Sequence, residues 1–224
     1  MKILSIDTSN SSTSVSILEN KKVLGKIFLN AGLIHSKIIS QVVEKIFNLL
    51  SLKMKDIDLL AVCTGPGSFT GIRIGLSFMK GVSLALNIPC VGISSLEALA
   101  YSVEPNNSDN IIYSCINANK DEIYFNSYEF QNDFLIKKNE DKFINFSDIL
   151  NFVEEERKKV IFVGNEAKRC YNICVGISNV LSFYECEIDS DFVGKAALDH
   201  FLRKDFNLQA NYLKKTRAEV LSSV

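Results

Sequence analysis

Thr64-Gly65-Pro66-Gly67-Ser68-Phe69-Thr70-Gly71-Ile72-Arg73-Ile74-Gly75 follows the apolar stretch Leu59-Leu60-Ala61-Val62-Cys63 and leads into a proline-free run from Ile72 to Leu86. The apolar stretch reads as a buried strand and the later run as a helix, with a glycine-rich bend between them. A strand, a tight bend and a helix start is where an α/β protein presents backbone N–H groups to an anion or a partner. A phosphate-binding P-loop also needs Gly-Lys-Ser/Thr, and here no lysine occurs until Lys80. The glycine spacing does not match a dinucleotide fingerprint either.

Strands are expected at Lys2 to Ile6, Ser14 to Leu18 and Lys22 to Phe28, joined by polar turns. Helices follow at Ile34 to Leu50, Ile72 to Leu86 and Ser95 to Ser102, separated by strands at Leu59 to Cys63 and Cys90 to Gly92. The polar segment Val103 to Asn110 then reads as a linker. Beyond it come strands at Ile111 to Ile116, Glu122 to Glu129 and Phe134 to Lys138, a helix at Phe146 to Arg157 and a strand at Val160 to Val163. Two βββαβα-type subdomains in series, the second shortened, predict an actin-like ATPase (ASKHA, ribonuclease H-like) α/β fold. Residues 1–104 would form the first subdomain and 105–224 the second.

The chain has 224 residues, 47% hydrophobic and 23% charged, with a formal net charge of −1. That balance is ordinary for a globular protein and lacks the basic footprint of an autonomous nucleic-acid binder. Lys214-Lys215-Thr216-Arg217 is a local exception, read as a solvated tail or as a contact for phosphate when held beside another protein. The start of the chain is too short for a signal peptide, and no segment reads as long enough to span a bilayer, so a cytoplasmic location away from membrane is expected. The six cysteines are scattered, without Cys-x-x-Cys spacing, and read as buried thiols.

In an actin-like fold the hairpin after the first strand contacts phosphate, and Asp7-Thr8-Ser9 stands there. Asp7 either helps hold Mg²⁺, with Thr8 beside phosphate, or caps a tight turn. With Gly65 and Gly67 these are the candidate nucleotide contacts. Asn117 to Glu122 reads equally as a catalytic loop or a hairpin turn. His35 and His200 are far apart in sequence and make neither a triad nor a metal set, so no catalytic and no metal residues are assigned.

The helix surfaces are unusual. Apolar residues of Ile34 to Leu50 cover an arc of about 220°, where packing on one core requires a stripe of roughly 100° or more. A protein partner on the outer face accounts for the excess. Ile72 to Leu86 is apolar nearly all round, which fits a helix sandwiched within the chain or one facing a partner. Its Gly71, Gly75 and Gly81 would admit another backbone.

Ile3 to Ser9, Ala31 to Ser36 and Gly65 to Gly75 together resemble the TsaB (YeaZ) family, non-catalytic bacterial paralogues of the tRNA threonylcarbamoyl transferase TsaD. The likeness is dense to about Tyr101. It thins to islands such as Ile116 to Asn119, Phe162 to Asn165 and Asn211-Tyr212-Leu213. The catalytic paralogue carries a metal-binding His-x-x-x-His in the helix after the strand corresponding to Pro89 to Gly92. Ser95 and Leu99 stand in those places here. The resemblance implies a scaffold for N6-threonylcarbamoyladenosine formation beside the tRNA anticodon, pairing with TsaD, assembling with the ATPase TsaE and also able to homodimerise. It implies no cofactor of the chain's own, with ATP or ADP at the joint with TsaD, and contact with tRNA through the complex. The partner face is carried to Ile38, Val42, Ile46, Ile74 and Phe78. Lys37 makes its edge more basic than the family pattern suggests. The alternative is an independent actin-like ATPase or small-molecule kinase.

Overall fold

The computed structural model describes residues 1–30, 32, 34–104, 109–206 and 208–213. Ala31, Leu33, the middle of the expected linker and the basic run from Lys214 lie outside the described residues.

Strands β1 (Lys2–Asp7), β2 (Thr13–Glu19) and β3 (Lys22–Leu29) form an antiparallel meander. Strands β4 (Leu59–Gly65) and β5 (Cys90–Ser94) extend it in parallel, in the order β3-β2-β1-β4-β5. The intervening helices are α1 (His35–Leu50) and α2 (Phe69–Leu86), and α3 (Ser95–Ala100) follows β5. The second half repeats this plan with β6 (Asn110–Asn117), β7 (Glu122–Gln131), β8 (Phe134–Lys137), β9 (Lys142–Asn145), α4 (Ile149–Glu155), β10 (Lys159–Val163), α5 (Ala167–Ile173), β11 (Val180–Tyr184) and α6 (Ser190–Arg203). Its sheet runs β11-β10-β6-β7-β8, with β9 paired to β7. Both halves therefore place their first strand centrally, the meander on one side and the parallel strands on the other. This is the actin-like architecture. The second half is shortened in its helices: α4 and α5 have seven residues each, against 16 and 18 in α1 and α2.

Alternation along β1 explains the layers, since successive side chains leave opposite faces of a sheet. Leu4 and Ile6 join the outer core under α1 and α2, while Ile3 faces the layer between the two sheets. That central layer holds α3 and α6. Helix α3 follows the first sheet yet packs on β6 and β7, and α6 follows the second sheet yet packs on β1, β2 and β4. A third core fills the space beneath α4 and α5.

Helix α2 starts at Phe69, three residues before the expected Ile72, because Ser68 Oγ accepts the Gly71 N–H as an N-cap. It ends where Asn87 adopts left-handed backbone (φ 54°). By length and composition α2 is long and apolar enough to cross a membrane, contrary to the sequence expectation. In the fold it carries Arg73 and Lys80 and lies on β4, with Ile72, Leu76 and Met79 buried.

Candidate functional site

Asp7 ends β1, and its carboxylate is occupied locally. Its Oδ1 accepts the Ser9 N–H at 3.0 Å and the Ser9 hydroxyl at 2.6 Å, an Asx turn. Its Oδ2 is buried with no hydrogen-bond partner among the described residues. Burial pushes the carboxyl pKa up to about 6, against the lowering effect of Ser9. Thr8 is also consumed: its hydroxyl donates to the Gly71 carbonyl at 2.7 Å. The Ser68 N–H donates to the Ser9 carbonyl at 2.6 Å.

The glycines permit this closure. A Cβ on Gly67 would lie 2.3 Å from the Ser9 carbonyl oxygen, and one on Gly71 would lie 1.9 Å from that of Thr8. The close approach expected of Gly71 thus occurs within the chain, against the β1–β2 turn. Gly81 meets nothing within 4 Å. The structure joins Asp7, Thr8 and Gly67 through Ser9 and Gly71 as a sealed joint, while Gly65 lies instead against Ile72 and the Asn211 carbonyl. Beside it, Ser9, Asn10, Gly67, Asn165 and Glu187 border a space of about 20 Å³. Small-molecule sites run to roughly 300 Å³ or more. The residues present do not fit a nucleotide or its metal at this place.

A larger cavity of about 520 Å³, which sequence reasoning did not foresee, is bordered by Thr64, Ser94, Glu97, Asp141, His200 and Asn211. Here Asp141 Oδ2 accepts from Ser94 Oγ at 2.8 Å and Asn211 Nδ2 at 2.6 Å. His200 Nε2 lies 2.7 Å from Glu97 Oε1. Burial alone would lower the His200 pKa, and Glu97 overrides it, holding the imidazole above its ordinary value. Ser95 and Leu99 are buried within α3, Ser95 Oγ lying 3.0 Å from Cys63 Sγ. Among the described residues no group of three or more His, Cys, Asp or Glu side chains could hold a metal ion. His35 is buried at the start of α1, with Nδ1 2.7 Å from Thr13 Oγ1.

The predicted partner face divides. Ile38, Ile74 and Phe78 are half-buried at the surface. Val42 (5% exposed) and Ile46 (1%) are instead core residues under α1 and cannot reach a partner. The broad apolar arc of α1 concealed which part faces the sheet. The structure assigns that part to Ile39, Val42, Val43, Ile46 and Phe47, leaving Ile34 and Leu49 outside. Helix α2 is not sandwiched, since Leu84 is 86% exposed and Leu86 46%. Ser36 and Ile39 of α1 with Phe69, Arg73, Ile74, Ser77 and Phe78 of α2 border an open groove of about 510 Å³.

The sequence matches the family described as "TsaD: tRNA N6-adenosine threonylcarbamoyltransferase" over residues 29–219. The tRNA threonylcarbamoyladenosine biosynthesis protein TsaB of Bacillus subtilis is 30% identical over 74% of this chain and 72% of its own length. The TsaB of Buchnera aphidicola subsp. Schizaphis graminum is 32% identical over 75% and 80% respectively. Among solved structures, YeaZ from Pseudomonas aeruginosa superposes with a TM-score of 0.77 over 95% of this chain and 99% of that one. At 20% identity, that likeness is one of fold.

Proposed function

Because the chain belongs to the TsaB family of tRNA threonylcarbamoyladenosine biosynthesis proteins, we propose that it serves this modification as a non-catalytic subunit, docking the transferase TsaD through the outer face of α1 and α2. One observation carries the reading. The longest helix among the described residues, α2, leaves Ile74 and Phe78 half-buried and Leu84 exposed at the surface, while Ile34 ahead of α1 and Leu49 on it are exposed too, and exposed apolar side chains of that kind mark an interaction site. TsaE joins the assembly in this reading, tRNA is met through the complex, and the protein works in the cytoplasm. Nucleotide belongs to the joint with TsaD, a placement supported by the closed space beside Asp7. The same closure weighs against an independent ATPase or kinase.

The test is reconstitution of threonylcarbamoylation from purified TsaD, TsaE, tRNA and this chain. Omission of the chain is expected to abolish product, and Ile74→Asp to abolish co-purification with TsaD while the circular dichroism spectrum is retained. Threonylcarbamoyl transfer to tRNA by this chain unaided would sink the proposal. Val42→Glu is no test of the face, because it would bury a carboxylate in the core.

A further inference from the structure

We propose that the cavity of about 520 Å³ beside β5 binds a small aliphatic polyamine, with Glu97 taking one of its ammonium groups. The cavity shares no bordering residue with the groove between α1 and α2, and neither Ser95 nor Leu99 borders it, so the site is independent of the docking face. Its size falls within the roughly 300–1,000 Å³ of small-molecule sites.

The charge around the cavity is unbalanced. Four carboxylates, Glu97, Glu140, Asp141 and Asp205, border it against two basic side chains, Lys137 and His200. Lys137 is taken by Glu140 at 3.0 Å and Asp141 at 3.4 Å, and His200 by Glu97 at 2.7 Å and Asp205 at 3.2 Å. The surplus is negative whether or not His200 is protonated, so an anion is repelled and a cation attracted. Among the described residues no group of three or more His, Cys, Asp or Glu could hold a metal ion, and the cation that fits is organic.

Carboxylates in excess are common on solvated surfaces, but the state of Glu97 is not. The residue is 9% exposed, and only its Oε1 is engaged, by His200 Nε2. Its Oε2 makes no hydrogen bond or ion pair among the described residues, yet unlike Asp7 Oδ2 it is not sealed in the core. A largely buried carboxylate with one oxygen open to a cavity is a place for a charge-assisted donor from outside the chain. His200 is the positioning residue, held in turn by Asp205.

The other walls suit an alkyl chain with a second charge. Asp141 is fully used: Oδ2 accepts from Ser94 and Asn211, and Oδ1 accepts from Asn126 Nδ2 at 2.6 Å. It fixes a C-terminal strap, residues 208–213, across the cavity. The Asn211 N–H donates to the Thr64 carbonyl at 2.8 Å, and the Tyr212 ring lies 4.9 Å from that of Phe69. Ala210 and Leu213 of the strap give methylene groups an apolar surface. Asp205 and Glu140 stand exposed at the mouth, where a second ammonium group meets them.

The experiment is calorimetric titration of the purified chain with spermidine at about 150 mM salt, which screens diffuse attraction between exposed charges. The wild type is expected to saturate at one site with Kd below about 1 mM. L-Lysine, which brings a carboxylate into a negative cavity, should bind at least about 10-fold more weakly. Glu97→Gln keeps an acceptor for His200 but loses the charge, and should weaken spermidine at least about 10-fold. Glu140→Gln at the mouth should weaken it about 2-fold, and Glu44→Gln on α1 should leave it unchanged. Spermidine should also slow amide hydrogen exchange at residues 209–213. Absence of saturable binding, L-lysine binding as tightly as spermidine, or full binding by Glu97→Gln would overturn the inference. Should Glu97→Gln fail to fold, the exchange map decides: slowing confined to the strap supports the site, and an unchanged strap overturns it.

Discussion

The two halves of the molecule share a strand order but handle a buried carboxyl group in opposite ways. In the first, Asp7 has one oxygen bound by Ser9 and the other without a partner, and its pKa is pushed up to about 6. In the second, Glu129, on β7 and 3% exposed, takes Lys158 at 2.7 Å and Lys138 at 2.9 Å. Burial would raise its pKa, but Lys158, Lys138 and Gln131 together bring it down to about 2. One half carries an ionisable group at a cost and the other uses one as a clamp. The glycine joints are alike by contrast. Gly67 and Gly71 seal the first half against the carbonyls of Ser9 and Thr8, and Gly164 meets the Cys115 carbonyl with φ 111°.

The likeness of the joints carries the largest expected effect. Gly71→Ala should cost more than about 3 kcal/mol, because a backbone carbonyl must move to admit the methyl. Gly164→Ala should cost about as much, while Gly81→Ala, with open space around it, should be neutral or gain up to ~1 kcal/mol. Urea denaturation midpoints measure all three, and a tolerated Gly164→Ala would show that the second joint is looser than the first.

The carboxyl contrast predicts smaller changes of opposite sign. Glu129→Gln should destabilise the protein by ~1–2 kcal/mol at pH 7, a modest figure because both lysines stay partly in water. The depressed pKa means that this stability is present above about 4.5 and lost as pH falls through about 2. Asp7→Asn should instead stabilise by about 1 kcal/mol at pH 7.5, since the amide still accepts from Ser9 without the cost of a buried charge. A raised carboxyl pKa contributes stability below 3.8 that is lost as pH rises through about 6, so the gain over wild type should fade toward pH 4. Thermal midpoints across pH 3–8 test both, and parallel profiles for the two variants would remove the contrast.

Much of this design was legible in the amino-acid order. The apolar run before Gly65, the polar turns and the long periodic helices marked the first half nearly to the residue. In the second half, β9, α5 and β11 escaped notice. Seven residues are too few to display helical period, and Val180–Tyr184 is an edge strand with a half-exposed pattern. The site was less legible. Asp7-Thr8-Ser9 and the glycines were singled out as candidate nucleotide contacts, but composition alone does not distinguish an open phosphate cradle from a closed joint. Val42 and Ile46 were misplaced because an arc of about 220° fits two orientations of α1 equally well. The strap around Asn211 and Tyr212 has no periodicity, and only its contacts across the fold give it meaning.

The exchange of α3 and α6 between the sheets bears on how the polypeptide matures during synthesis. The first sheet leaves the ribosome with α3 touching only its β4–β5 edge, and the cover over β1 and β2 is not translated until α6, from Ser190 on. Nascent chains halted before that point should remain open to protease, with shielding arriving late and all at once.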